Sequence, residues 1–317
     1  PIASGGDGGG SIRVPAAYCG IVGLKPSRGR ISQGSNRTDS HVGISTPFAL
    51  TQSVRDCALL LDCLEGPHPS DYHRHLLPGG PFQNAIERHA EPLRIGFLTE
   101  SWFGYATHPA TRRAVEQVAD FLALEGHQLQ PVELCLDFPS FLDAALDIWS
   151  AGLVIGLKSL SERHNRTITP DNALNSTYRM FHHGCQLSAE KYIRSLAVFR
   201  NVAEIIGQFF QAFDLLVLPT TPQPAPPVGY YDINPPEDID LIDWHRSIYV
   251  NDSFAGVFNI SGDPAISVPV FPEGLSLPVG IQIVASFGEE ARLLGLAADI
   301  ERAFPRNQKK PEIFATL

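Results

Sequence analysis

The sequence predicts an α/β fold, with a β-sheet flanked by helices. Strand-like apolar runs alternate with helical periods over the last two-thirds of the chain, the order that builds layered α/β architectures. Across 317 residues the hydrophobic share is 44% and the charged share 18%, enough apolar surface to bury a large core. Length alone suggests one large α/β domain or two smaller ones, and no internal repeat is evident.

Each element has a local reason. From Ser11 to about Thr51 the chain is studded with Gly, Pro and Ser and reads as loop. Ser53-Val54-Arg55-Asp56 resembles a capping box, opening a helix over "VRDCALLLDCLE" that Gly66-Pro67 ends. Residues 67–92 carry no period and read as an excursion over the surface. "LRIGFLTE" (Leu93–Glu100) is a buried strand candidate, and Val115, Val118, Ala119 and Leu122 then fall at helical spacing, with Pro109 in the first turn. Gly126 stops that helix and "HQLQPVEL" reads as another strand. A helix is expected from about Phe138 to Arg163, and a longer one from Ser188 to Phe213 with the stripe Tyr192, Leu196, Phe199, Ile206, Phe210 and Phe213. "DLLVLP" (Asp214–Pro219) is a short strand, and the acidic, proline-rich "NPPEDIDLID" reads as a solvated insertion. "AISVPV" and "VGIQIVA" are strands, and a last helix carries Leu293, Leu296, Ala297, Ile300 and Phe304.

Composition removes several classes of function. A net charge of −10 offers no basic stripe to neutralise phosphates, so no nucleic-acid partner is expected. The longest nearly uninterrupted apolar run, Ala151 to Leu157, is too short to span a bilayer, and no membrane association is expected. The five cysteines (Cys19, Cys57, Cys63, Cys135, Cys185) are scattered without C-x-x-C spacing, which fits reduced thiols in a cytoplasmic protein rather than a disulfide framework or zinc knuckle. No H-E-x-x-H motif occurs, and the His73–His75 "HRH" sits in an irregular polar stretch, so no metal is expected.

The chemistry concentrates near the start, where Gly5, Gly6, Gly8, Gly9 and Gly10 surround Asp7. A stretch this rich in glycine is poor material for a helix or a strand interior. The spacing fails as a dinucleotide fingerprint, Lys25 lies between Leu24 and Pro26 and so fails as a P-loop, and Arg13 stands where a nucleophile elbow around Ser11 needs glycine. No organic cofactor is therefore expected. Consecutive glycine amides can instead turn inward on one point, and such donors stabilise the oxyanion of acyl transfer. Gly8-Gly9-Gly10 running into Ser11 would set a hydroxyl beside a nest of amides. The glycines alone fit a tight structural turn equally well.

The residues that follow extend the pattern. Gly9-Gly10-Ser11-Ile12-Arg13-Val14-Pro15, then Gly20-Ile21-Val22-Gly23-Leu24-Lys25-Pro26-Ser27-Arg28-Gly29-Arg30, closely resemble the amidase signature family, and "FDLLVLPTTPQPAPPVG" and "FAGVFNISGDPAISVPV" resemble its late motifs. The resemblance implies an α/β/α sandwich with a mixed sheet, and a Ser-cisSer-Lys hydrolase that cleaves a carboxamide C–N bond through an acyl-enzyme. Ser11 corresponds to the nucleophile, the amides of Gly8, Gly9, Gly10 and Ser11 to the oxyanion hole, and Asp7 and Arg13 to supports of the loop. Lys25 matches a signature lysine that the family does not use as its base. The family's lysine and bridging serine lie N-terminal to the nucleophile, whereas ten residues precede Ser11 here and Ser4 falls inside the loop itself. The resemblance covers essentially the whole chain and thus implies one amidase signature domain over 1–317, N-terminally truncated and inactive alone, acting when complete on a small amide; a homodimer is left open. Trp149, Tyr178, Phe181 and Phe254 are candidate pocket walls. The final motifs resemble those of bacterial enzymes acting on aliphatic or cyclic oligoamides. Two rivals stand beside this reading. One is a Ser-His-Asp hydrolase using His41 or the His182–His183 pair; the other is a truncated, catalytically inactive chain serving as a binding module.

Overall fold

The computed structural model describes residues 2–34, 42–71, 81–87, 91–249 and 253–305. Along the chain come β1 (Ala3–Asp7), α1 (Arg13–Cys19), β2 (Val22–Lys25), β3 (Thr46–Thr51), α2 (Val54–Leu64) and α3 (Phe82–Ala85). The middle holds β4 (Arg94–Phe97), α4 (Pro109–Leu124), β5 (Gln128–Pro131), α5 (Phe138–His164), α6 (Asn175–Gln186) and α7 (Ala189–Ala212). β6 (Leu215–Pro219), α8 (Leu241–Tyr249), α9 (Gly256–Ser261), β7 (Ala265–Val270), β8 (Val279–Ala285) and α10 (Glu290–Ala303) complete the order. The strands form one mixed sheet in the order β1-β3-β2-β7-β8-β6-β4-β5. Pairing is parallel between β4 and each of β5 and β6, and antiparallel elsewhere.

Helices cover both faces. β6 shows why: Leu215 and Val217 enter one core with α2, α4 and α10, while Leu216 and Leu218 enter the other with α5, α7 and α9. Two-residue alternation in an almost wholly apolar strand is what a sheet covered on both sides requires. The mixed sheet and flanking helices agree with the expected architecture.

Local signals placed most elements. Ser53 caps α2 by accepting the Asp56 amide at 3.1 Å, Pro109 opens α4, and Gly126 follows α4 with φ +94°. The opening third of the chain differs from expectation. The glycine-rich stretch contains β1, and the predicted loop from Ser11 to Thr51 contains α1, β2 and β3. Pairing overrides propensity here: β1 runs antiparallel to β3 from Ala3 opposite Leu50 to Asp7 opposite Thr46. β2 is wedged between β3 and β7.

Helices α6, α8 and α9 were not foreseen. α6 has few buried side chains and depends on close approach to α5, since a Cβ on Gly184 would lie 2.4 Å from the Ser150 carbonyl oxygen. The "NPPEDIDLID" segment is mostly exposed, as expected of an insertion, but its last residues already belong to α8. Within 67–92, Phe82 of α3 is buried rather than on the surface. The proposed "HRH" cluster at His73–His75 lies outside the described residues, as does His41. By length and composition α5 could cross a membrane, a point the short Ala151–Leu157 run did not show. Half of its most apolar window is buried inside the protein, as in a core helix.

Helix α1 lies flush on the sheet because small residues meet there. A Cβ on Gly23 would stand 2.6 Å from that of Ala16, and one on Gly280 would stand 2.3 Å from that of Ala17 and 2.7 Å from Ser267 Oγ. Gly280→Ala therefore forces the helix off the sheet. We expect this variant to lose about 1–3 kcal/mol, the usual cost of overpacking. The measurement is the urea midpoint at constant m; an unchanged midpoint would contradict the contact.

Candidate active site

The turn from β1 into α1 is organised by a buried ion pair. Asp7 and Arg13 are both 0% exposed. Arg13 uses all five of its N–H donors. Nε donates to Asp7 Oδ2 (2.9 Å), Nη1 to the Ala255 carbonyl (2.9 Å) and Gln282 Oε1 (2.6 Å), and Nη2 to Asp7 Oδ1 (2.8 Å) and Asn259 Oδ1 (2.5 Å). Asp7 also accepts from the backbone amides of Gly10 (2.8 Å), Ile12 (3.2 Å) and Arg13 (3.3 Å), and from Asn259 Nδ2 (3.0 Å). Asn259 Nδ2 bonds the Asp7 and Ile44 carbonyls as well, and Gln282 Nε2 bonds the Phe254 carbonyl. Burial by itself would raise the Asp7 pKa, but the charge and hydrogen bonds of Arg13 and the Asn259 amide outweigh it. The carboxyl is held well below the usual carboxylate range.

Asn259 and Gln282 escaped sequence reasoning. The available signals were a lone amide inside the apolar strand "VGIQIVA" and the asparagine of "FNISGDP".

The clamp turns the glycine amides unequally. The Gly10 amide, expected to serve as an oxyanion donor, is committed to the Asp7 carboxylate, and Gly10 has φ +131°, open only to glycine without strain. Among the described residues the amides of Gly8, Gly9 and Ser11 meet no acceptor. A Cβ on Gly8 would lie 2.6 Å from Cη2 of Trp149, so a side chain there requires the indole to move. Ser11 is exposed and opens onto a cavity of about 450 Å³ that Gly10, Val14, Pro15 and Tyr18 also line. Of the expected wall residues, Trp149 therefore reaches the glycine loop. Phe254 is core, with its ring 5.6 Å from that of Trp102, and Tyr178 and Phe181 pack around His182 on α6.

The rest of the signature is framework. Arg28 donates to the Gly43, Asn259 and Ile260 carbonyls, tying β2 to the end of α9. Glu290, at the start of α10, accepts from the Ser27 amide and from the buried Arg30 guanidinium. Lys25 is wholly buried and donates to the Pro26 carbonyl at 2.9 Å. Burial, and then the Arg13 charge, bring its pKa down from 10.5 to about 7.

Among the described residues the His182–His183 form of the histidine rival has the wrong connectivity. His183 Nε2 meets Asp147 Oδ1 at 2.8 Å, but Ser195 Oγ donates to Asp147 Oδ2 at 2.6 Å, so the carboxylate rather than the imidazole stands in the middle. A triad needs the histidine between the other two. The His183–Asp147–Ser195 set, with Lys191 at 3.4 Å, is a polar tie between α5, α6 and α7.

A buried ion-pair clamp, backbone amides that meet no acceptor among the described residues and an exposed serine at a cavity thus lie together at the turn from β1 into α1. The chain belongs to the amidase signature family: the family model described as "Amidase" matches residues 1–294. A 6-aminohexanoate-cyclic-dimer hydrolase of Pseudomonas sp. (strain NK87) is 33% identical over 99% of this chain and 65% of its own length. The corresponding enzyme of Paenarthrobacter ureafaciens is 32% identical over the same shares. A solved structure of a 6-aminohexanoate cyclic dimer hydrolase superposes with a TM-score of 0.91 at 32% identity, covering 98% of this chain and 66% of that one. A bacterial aryl acylamidase structure, at 24% identity and a TM-score of 0.81, shares the fold. The chain thus spans about two-thirds of the length of these relatives.

The Lys25 shift has a sign that can be tested. Between pH 7 and 10.5 the unfolded chain holds a proton on this lysine that the folded chain has released, so the Lys25 contribution to stability rises with pH across that window. Lys25→Met removes the dependence. The unfolding free energy of the wild type, relative to Lys25→Met, should increase from pH 7 to pH 9.5 in urea titrations; a decrease would refute the shift.

Proposed function

We propose that the protein is an amidase that hydrolyses a carboxamide C–N bond, linear or cyclic, through an acyl-enzyme on Ser11. The observation that carries this reading is the Asp7–Arg13 clamp, which presents an exposed serine hydroxyl beside unengaged backbone amides at a cavity. Ser11 Oγ attacks the carbonyl carbon and its proton passes to a base. The negative charge that develops on the carbonyl oxygen is met by the amides of Gly8, Gly9 and Ser11, each such donor being worth ~10²–10³ in rate. Gly10 supports this nest rather than lining it. The C–N bond then breaks, the amine leaves with the proton, and water releases the acid.

The base is proposed to come from sequence outside these 317 residues. Lys25 is held by Pro26 and Lys191 by Asp147, and among the described residues no lysine hydrogen-bonds Ser11. The family pattern, a lysine acting through a bridging serine, would supply it. An enzyme acting on a small amide fits the 6-aminohexanoate-cyclic-dimer hydrolases among its relatives, and a cytoplasmic location is part of the same proposal.

In the full-length protein Ser11→Ala should lower amide hydrolysis by at least 10³-fold, in the manner of a lost nucleophile, with the circular dichroism spectrum kept. Retention of most activity would refute the assignment. A lysine base works only when neutral, so the rate should climb on the alkaline side of pH 7. A limb following a group near the ordinary histidine pKa of ~6.5 would instead revive the histidine mechanism.

A further inference from the structure

The peptide planes of the glycine loop are held unequally. In the Asp7–Gly8 plane the Asp7 carbonyl accepts Asn259 Nδ2 at 2.8 Å. A planar trans peptide points its N–H away from its carbonyl, so the Gly8 amide is aimed away from Asn259. In the Gly9–Gly10 plane the Gly10 amide is committed to Asp7 Oδ1 at 2.8 Å. The Gly9 carbonyl, on the other side of that plane, faces the start of α9, 3.7 Å from where a Cβ on Gly256 would stand. The Gly8–Gly9 plane between them has no such ties: among the described residues neither the Gly8 carbonyl nor the Gly9 amide has a hydrogen-bond partner. A glycine stands on each side of it, so its orientation is left to van der Waals contact.

Trp149 supplies that contact. A Cβ built on Gly8 would stand 2.6 Å from Cη2 and 3.2 Å from Cζ2 of the indole, while the next atom, Ser45 Cβ, is an ordinary 3.7 Å away. The far edge of the indole therefore bears on Gly8 from the side where a side chain would grow. Helix α5 is pinned on both sides of Trp149. Two residues earlier, Asp147 meets His183 Nε2 of α6 at 2.8 Å and accepts Ser195 Oγ of α7 at 2.6 Å. One residue later, the Ser150 carbonyl oxygen would lie 2.4 Å from a Cβ on Gly184 of α6. The half-buried indole itself packs against the core that α5, α7 and α9 share.

We infer that Trp149 is a positioning residue for the oxyanion hole: its indole edge holds Gly8 and so aims the Gly9 amide, with that of Gly8, at the substrate oxygen. The inference rests on Ser11 as the reacting residue, since that makes these amides the donors. Such donors are effective only when fixed before the charge develops. Misplacement by about 1 Å costs ~10²-fold in rate. The loss falls on the transition state, because the negative charge that the amides meet is absent from the bound substrate.

A size swap in the full-length protein tests the contact. A phenylalanine ring ends short of the Cη2 edge, so Trp149→Phe opens the space that a Cβ on Gly8 would fill. Gly8 lies outside the left-handed region, so Gly8→Ala adds that Cβ without backbone strain. Both kcat and KM are measured with acetamide, hexanamide and benzamide. Each single variant should lower kcat about tenfold or more, by a similar factor for every amide turned over, with KM within about twofold. The double variant should return to within about threefold of wild type, far above the product of two independent losses. Wild-type kcat in Trp149→Phe, or a double variant as poor as that product, overturns the positioning role. So does a loss confined to KM or to one amide, which is what a pocket wall gives. Circular dichroism checks each fold; if Gly8→Ala alone does not fold, Trp149→Phe and the double variant decide. Failure of the catalytic reading would appear elsewhere, as hydrolysis retained by Ser11→Ala.

Discussion

The arrangement around Ser11 depends on one buried ion pair. Two ions removed from water cost several kcal/mol each, and the cost is recovered only if the remaining hydrogen-bonding capacity is met. Here it is met: every guanidinium N–H of Arg13 has an acceptor, and the Asp7 carboxylate gathers three backbone amides from the turn. Removing either partner would leave a charge stranded, at a cost of about 3–5 kcal/mol. The pair therefore fixes the path of the glycine loop between β1 and α1.

That path matters because the loop spans two elements with different attachments. Among the described residues β1 pairs on one side only, with β3, at the outer edge of the sheet. α1 is pressed onto β2 and β8 through glycine–alanine contacts that admit no added atom. The clamp couples the lightly held strand to the firmly held helix. Asn259 of α9 and Gln282 of β8 extend the coupling into the helical layer and the centre of the sheet. The signature's Arg28 and Arg30 continue it to α9 and α10. Residues that look like a catalytic motif are thus mostly framework, and Lys25 is the plainest case: a buried lysine with a depressed pKa whose proton donor role is spent on Pro26.

Legibility of the fold followed the range of the interactions. Helix α2 could be read from its cap, α4 from Pro109 and its apolar spacing, and β6, β7 and β8 from their apolar runs, because each is specified within a few residues. β1 could not, since a strand of Ala-Ser-Gly-Gly-Asp exists only through its pairing with β3. Nor could α6, whose place depends on Gly184 meeting the Ser150 carbonyl on another helix.

The candidate site divides the same way. The sequence by itself determined that a glycine nest precedes Ser11, that Asp7 and Arg13 flank it, and that the spacing is that of the amidase signature, all of it within a short stretch of chain. Only the tertiary structure decided which amides remain unengaged, with Gly10 withdrawn to Asp7. It alone brought Asn259, 252 residues from Asp7, and Gln282, 269 residues from Arg13, into the clamp. It alone brought Tyr231 and Asp232 into the lining of the cavity at Ser11. The physical reason is that buried polar groups must find partners wherever the fold supplies them, and those partners need have no relation in sequence to the groups they satisfy.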